Sequence, residues 1–131
     1  MNAETPLPKD RLIFVYNADS GLVNMLMDWS HKILQPSTYS CQLCSLTYGH
    51  TRMHKKWHAF TSDLSFDTLF LHRDEFRQQY PRLHDLLLPC ILIERKDDDH
   101  SIAVLLDAER LNQQRTLDQL IETCTFLLES L

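Results

Sequence analysis

Cys41 and Cys44 are the residues of this chain with the clearest chemical potential, because the Cys-x-x-Cys spacing suits both a reversible disulfide and a metal site. They lie within residues 29–62, a stretch with four lysines and arginines, four histidines and no aspartate or glutamate. A positive environment lowers the pKa of a thiol and so favours the reactive thiolate. The sequence therefore indicates thiol or metal chemistry, without naming a substrate.

A redox interpretation gives the two cysteines different tasks. Cys41 is the expected nucleophile, with its pKa lowered by nearby cations or by the start of the following helix, and Cys44 resolves the mixed disulfide. Two cysteines at this spacing can close a small ring when the second lies on a first helical turn. The partner expected on this interpretation is a thiol or disulfide of a protein or a small molecule.

A metal interpretation uses the same two sulfurs. Cys41 and Cys44 would bind zinc together with two of His50, His54 and His58, since residues four apart on a helix project from one face. The segment between Cys44 and His50 is shorter than the segment between the cysteine pair and the histidine pair of a common zinc finger, and no second Cys-x-x-Cys is present.

A third interpretation is structural, with no cofactor. Both cysteines would then be small packing residues of a binding or scaffold domain, as expected for Cys124 within the apolar stripe of the last helix.

Composition sets the broad class. A chain of 131 residues, 44% hydrophobic and 24% charged, is expected to form one domain over 1–131, with 1–10 flexible. No apolar run approaches the roughly 20 residues of a membrane helix, and the first residues do not resemble a secretory signal, so we expect a cytoplasmic protein with no membrane partner. Outside 29–62 the chain has nine basic and eighteen acidic residues, which argues against nucleic acid as a partner.

Apolar periodicity and turn residues predict the order β-α-α-β-α-β-β-α. Strands are predicted at 12–16, 66–71, 90–95 and 101–106, the last two as an antiparallel hairpin turning at 97–99. Helices are predicted at four places: 22–34, around Trp57, at 75–80 with Asp74 as cap, and at the end of the chain behind a Thr116–Gln119 capping box. Asp19 or Ser20 is the expected cap of the first helix, and the two cysteines are expected in a loop.

This order resembles the thioredoxin-like fold, with a mixed four-stranded sheet and helices on both faces. The first two strands should be parallel, because helices join them. In thioredoxin-like folds the proline before the third strand lies against the redox site and is commonly cis. The resemblance gives that role to Pro89, with Cys90 beside it as a further candidate of the redox groove; the sequence does not define the isomer.

Residues 16–23, Tyr-Asn-Ala-Asp-Ser-Gly-Leu-Val, resemble the Tyr-Asp-Gly-x-Cys-x-x-Cys opening of the thioredoxin-like DCC thiol oxidoreductases. Ser20 and Val23 stand where that family has its cysteines, so the dithiol at the start of the first helix is absent. The Cys-x-x-Cys of this chain comes some twenty residues later.

Over its whole length the chain resembles a set of small bacterial proteins of unassigned function. The shared segments are Phe-Val-Tyr-Asn-Ala-Asp-Ser-Gly at 14–21, Cys-x-Leu-Cys-x-Leu-Thr-Tyr-Gly at 41–49 and His-Arg-Asp-Glu-Phe at 72–76. These proteins are sometimes labelled GTPases. This chain has two glycines, Gly21 and Gly49, and no Gly-x-x-x-x-Gly-Lys-Ser/Thr loop, so the sequence does not support a P-loop GTPase.

Overall fold

Four short strands form one mixed sheet in this computed structural model, which describes residues 10–20, 41–49, 52–96 and 101–131. The sheet order is β2-β1-β3-β4. Strand β1 pairs in parallel with β2 and antiparallel with β3, and β3 pairs antiparallel with β4. This confirms the predicted α/β class, the parallel first pair and the antiparallel hairpin strands. The strands are β1 (Arg11–Val15), β2 (Asp67–Leu71), β3 (Cys90–Glu94) and β4 (Ile102–Leu106).

Strand β1 is apolar on both sides because it lies in the middle of the sheet and helices cover both faces. Leu12 and Phe14 point into one core cluster, and Ile13 and Val15 point into the other; each of the four is at most 1% exposed. Side chains of a strand alternate between faces, so one continuous apolar run contributes to both clusters.

Five helices pack against this sheet in the described part of the chain. The larger cluster, defined here as the disulfide-side core, receives Leu43, Trp57, Leu111 and Leu120, while Phe76 enters the opposite core. Helices therefore lie on both faces, as predicted. The helices are α1 (Gln42–Thr47), α2 (Lys55–Ser62), α3 (Arg73–Gln79), α4 (Ala108–Asn112) and α5 (Leu117–Glu129), with a 3-10 turn at Pro81–Leu83.

Two of these helices differ from the prediction. The cysteines do not lie in a loop, because Cys44 belongs to α1, and α4 was not predicted at all. Both helices are too short to show an apolar period, and contacts between them contribute to their stability. The Gln42 side chain donates to the carbonyl of Gln114 at 2.5 Å, and its main-chain N–H donates to Asn112 Oδ1 at 3.3 Å.

The predicted cap of α3 was wrong. The helix begins at Arg73, two residues earlier than expected, and its N-cap is His72. The main-chain N–H of His72 donates to Glu75 Oε1 at 2.8 Å, closing a capping box. Asp74 instead accepts hydrogen bonds from Ser20, as described below.

The closing helix begins as predicted. Thr116 is its N-cap, and the Thr116 hydroxyl accepts the main-chain N–H of Gln119 at 3.0 Å. The helix predicted at 22–34 and the turn at 97–99 lie outside the described residues. Within the described ranges, no helix has the length and apolar character needed to cross a membrane.

Candidate functional site

Cys41 and Cys44 are joined by a disulfide at the start of α1. Cys41 is the N-cap of the helix and Cys44 lies on its first turn, with the two Cα atoms 5.3 Å apart. This separation falls in the usual range for a disulfide. The local fold thus gives the arrangement that the redox interpretation requires, with the second cysteine on a first helical turn.

The sulfur of Cys41 accepts two main-chain hydrogen bonds. The N–H of Asn17 and the N–H of Cys44 each donate to Cys41 Sγ at 3.2 Å. Asn17 stands two residues beyond β1, so these donors come from different parts of the fold. Donors of this kind can stabilise a negative charge on sulfur as well.

Both sulfur-bearing residues are buried in the disulfide-side core. Cys41 is 2% exposed and Cys44 is 7% exposed, and Leu43 between them is fully buried. Leu43 anchors α1 on the sheet and so fixes the position of the disulfide. The pair therefore lies inside the fold at the carboxyl end of β1, with Cys44 the less buried of the two.

Tyr16 lies in the same core, at the end of β1. Its ring meets that of Tyr48 edge to face, with the centroids 5.5 Å apart, and Tyr48 in turn donates its main-chain N–H to the carbonyl of Cys44 at 3.1 Å. Burial, and then the neighbouring Tyr48, raise the pKa of Tyr16 well above its ordinary value. Tyr16 is therefore neutral at physiological pH, and its ring packs as part of the core that contains the disulfide.

Pro89 and Cys90 lie near the same end of β1, and the side chain of Cys90 faces away from the disulfide. The Leu88–Pro89 bond is cis, Pro89 is buried, and Cys90 pairs with Val15 in the sheet. The side chain of Cys90 belongs to the opposite core, and burial raises its pKa to about 12. The structure therefore does not bring Cys90 together with Cys41 and Cys44.

The histidines of the zinc interpretation are not gathered around the two sulfurs in the described chain. His54 is the N-cap of α2 and His58 lies on its exposed side, while His50 lies outside the described residues. Among residues 10–20, 41–49, 52–96 and 101–131, no three side chains of His, Cys, Asp or Glu are grouped to hold a metal. In this structure the two sulfurs are bonded to each other.

Polar contacts to α3 fix the segment that carries the Asn17 donor. Arg73 Nε donates to Asp19 Oδ1 at 3.0 Å, and Arg73 also donates to Asn17 Oδ1 at 3.4 Å. The Ser20 hydroxyl donates to Asp74 at 2.9 Å, and this bond is the main reason that the pKa of Asp74 is lowered. Asp19 therefore pairs with Arg73, and Ser20 pairs with Asp74; both contacts join the segment after β1 to α3.

Sequence reasoning missed Asn17 and Arg73. The contribution of Asn17 to the disulfide is a main-chain N–H, which every residue except proline possesses. Only its position just after the first strand could have suggested it. Arg73 lies 56 residues from Asn17 in the chain, and no local pattern links the two.

Compared with protein-family models, with curated proteins and with solved structures, the chain matches none.

Proposed function

We propose that this chain is a thioredoxin-like domain whose Cys41–Cys44 pair cycles between disulfide and dithiol. The observation that carries the proposal is the pair of N–H donors, from Asn17 and Cys44, on the sulfur of Cys41 at 3.2 Å each. The hydrogen bond from Cys44 also caps α1, and the hydrogen bond from Asn17 adds a second donor from another part of the fold. Such groups matter when the disulfide breaks, because the charge then formed on sulfur is already solvated by the protein.

The sheet supports the thioredoxin-like part of the proposal. A central β1 with a parallel neighbour on one side and an antiparallel hairpin on the other agrees with that topology. Buried Pro89 directly precedes β3, as the resemblance expects. In a reducing cytoplasm, disulfides are mostly transient and serve catalysis or redox sensing, so the expected location agrees with this chemistry.

The first experiment measures the reduction potential. The full chain is equilibrated in buffers of reduced and oxidised glutathione, quenched with acid, alkylated, and the oxidised fraction is read from the intact mass. We expect one two-electron transition between about −120 and −270 mV, the range of dithiol oxidoreductases. A pair that stays oxidised below about −300 mV behaves as a structural disulfide and refutes the proposal.

The second experiment measures the thiol pKa values separately. In Cys44→Ser the pKa of Cys41 is expected below about 8.5, the ordinary value of a free cysteine. The matched control is Cys41→Ser, in which the remaining sulfur of Cys44 has no hydrogen-bond donor among the described residues. A Cys41 pKa at or above about 8.5 would contradict the stabilising effect of the two donors.

Elemental analysis of the reduced protein distinguishes the zinc alternative. Zinc at one equivalent, lost in both Cys44→Ser and His54→Ala, would favour a metal site over redox cycling. Zinc well below one equivalent that does not change in these variants argues against that ligand set.

A further inference from the structure

Resting on the proposed redox function, we infer that an incoming thiol enters the exchange at Cys44 and that Cys41 is the sulfur that leaves. This exchanges the roles expected from the sequence, where Cys41 was the nucleophile that would carry the mixed disulfide. Two independent observations carry the inference, the hydrogen bonds on the sulfurs and the difference in their burial.

The hydrogen bonds favour Cys41 as the leaving sulfur. In thiol–disulfide exchange, the bond breaks faster when the departing thiol has a lower pKa. Cys41 Sγ already accepts the N–H groups of Asn17 and Cys44, and within the described chain no donor contacts the sulfur of Cys44. When Cys44 is attacked, the sulfur of Cys41 can keep both hydrogen bonds as it gains its charge.

The reverse assignment would make no use of these contacts. A mixed disulfide on Cys41 would place the new partner on the more buried residue, beside the N–H of Asn17. It would also place the charge on the sulfur of Cys44. Both consequences oppose an exchange through Cys41.

Burial points in the same direction. Cys41 is 2% exposed, while Cys44 is 7% exposed. The rate of exchange depends on which sulfur can be approached, and Cys44 is the less buried residue of the pair. Because both cysteines are largely buried, a small-molecule thiol such as glutathione is a suitable probe of the exchange.

Two external thiols supply the two electrons that reduce the Cys41–Cys44 disulfide, and no other reactant is needed. A thiolate attacks Cys44 Sγ, forms a mixed disulfide with it, and releases Cys41 as a thiolate. A second thiolate then attacks the sulfur of the first thiol in that mixed disulfide. The two external thiols leave as a disulfide with each other, and the sulfur of Cys44 takes up a proton to become a free thiol.

Two single-cysteine variants test the assignment at equilibrium. Cys41→Ser and Cys44→Ser are held in the same glutathione redox buffer, and the bound fraction is measured by mass, with fragmentation to locate the adduct. At a pH above both thiol pKa values, the mixed-disulfide equilibrium constant should be larger in Cys41→Ser by about tenfold for each unit by which the pKa of Cys41 lies below that of Cys44. Cys41→Ala and Cys44→Ala repeat the comparison without the serine hydroxyl.

Each outcome decides something. Equal adduct formation in the two variants, a preference for Cys41, or no adduct in either overturns the assignment. An independent test adds reduced glutathione to the oxidised wild-type protein, quenches the mixture with acid soon afterwards, and locates the glutathione adduct by mass. An adduct on Cys44 is expected, and an adduct on Cys41 contradicts the assignment. A wild-type disulfide that glutathione never reduces refutes the proposed function itself, whichever variant binds more glutathione.

Discussion

Reduction of the Cys41–Cys44 disulfide should weaken the fold without unfolding it. The bridge joins residues with a sequence separation of 3, so it closes a ring of about four residues and restricts the unfolded chain very little. Loop-closure entropy for a ring of about that size gives about 2 kcal/mol of stabilisation at 25 °C. A small domain has about 5–15 kcal/mol of stability, so the reduced protein should remain folded.

Urea unfolding of the oxidised and reduced protein measures this difference. We expect the midpoint to fall on reduction while the slope stays unchanged, because the surface exposed on unfolding is nearly the same. The variant Cys41→Ala/Cys44→Ala is the control, and its midpoint should not respond to reductant. A loss above about 4 kcal/mol, or unfolding on reduction, would refute the reasoning, since a short ring cannot supply that much.

Three further predictions concern the support of the site. Leu43 is fully buried, so Leu43→Ala should lower the unfolding free energy measured in urea by about 2–5 kcal/mol. Leu87 is 79% exposed, so the control Leu87→Ala should change it by at most about 0.5 kcal/mol. Because the pKa of Asp74 is lowered in the folded protein, its contribution to stability is present above the ordinary carboxyl pKa of 3.8 and is lost as the pH falls through the lower folded pKa. Asp74→Asn should therefore flatten the acid limb of a plot of unfolding free energy against pH, and an unchanged limb would contradict this. Burial raises the pKa values of Cys90 and Cys124 to about 12, so at pH 8 a maleimide should label them only upon unfolding, and rapid labelling of the folded protein would contradict their burial.

The strands and longer helices could be predicted from the sequence because their signals are local. The apolar run of β1, the spacing around Trp57 and the Thr116 cap each depend on neighbouring residues. Helices α1 and α4 could not be predicted in this way. They have six and five residues, and contacts of Gln42 with the segment around Gln114 support them across the fold.

The sequence alone determined that two cysteines stand at the spacing of a reversible disulfide, and that strands and helices alternate as an open mixed sheet requires. Only the tertiary structure decided what surrounds each sulfur. Cys90 faces the opposite core because alternation along β3 and its register with Val15 direct it there. Cys41 receives the N–H of Asn17 because the end of β1 meets the start of α1, a contact between main-chain and side-chain atoms 24 residues apart that no local pattern encodes.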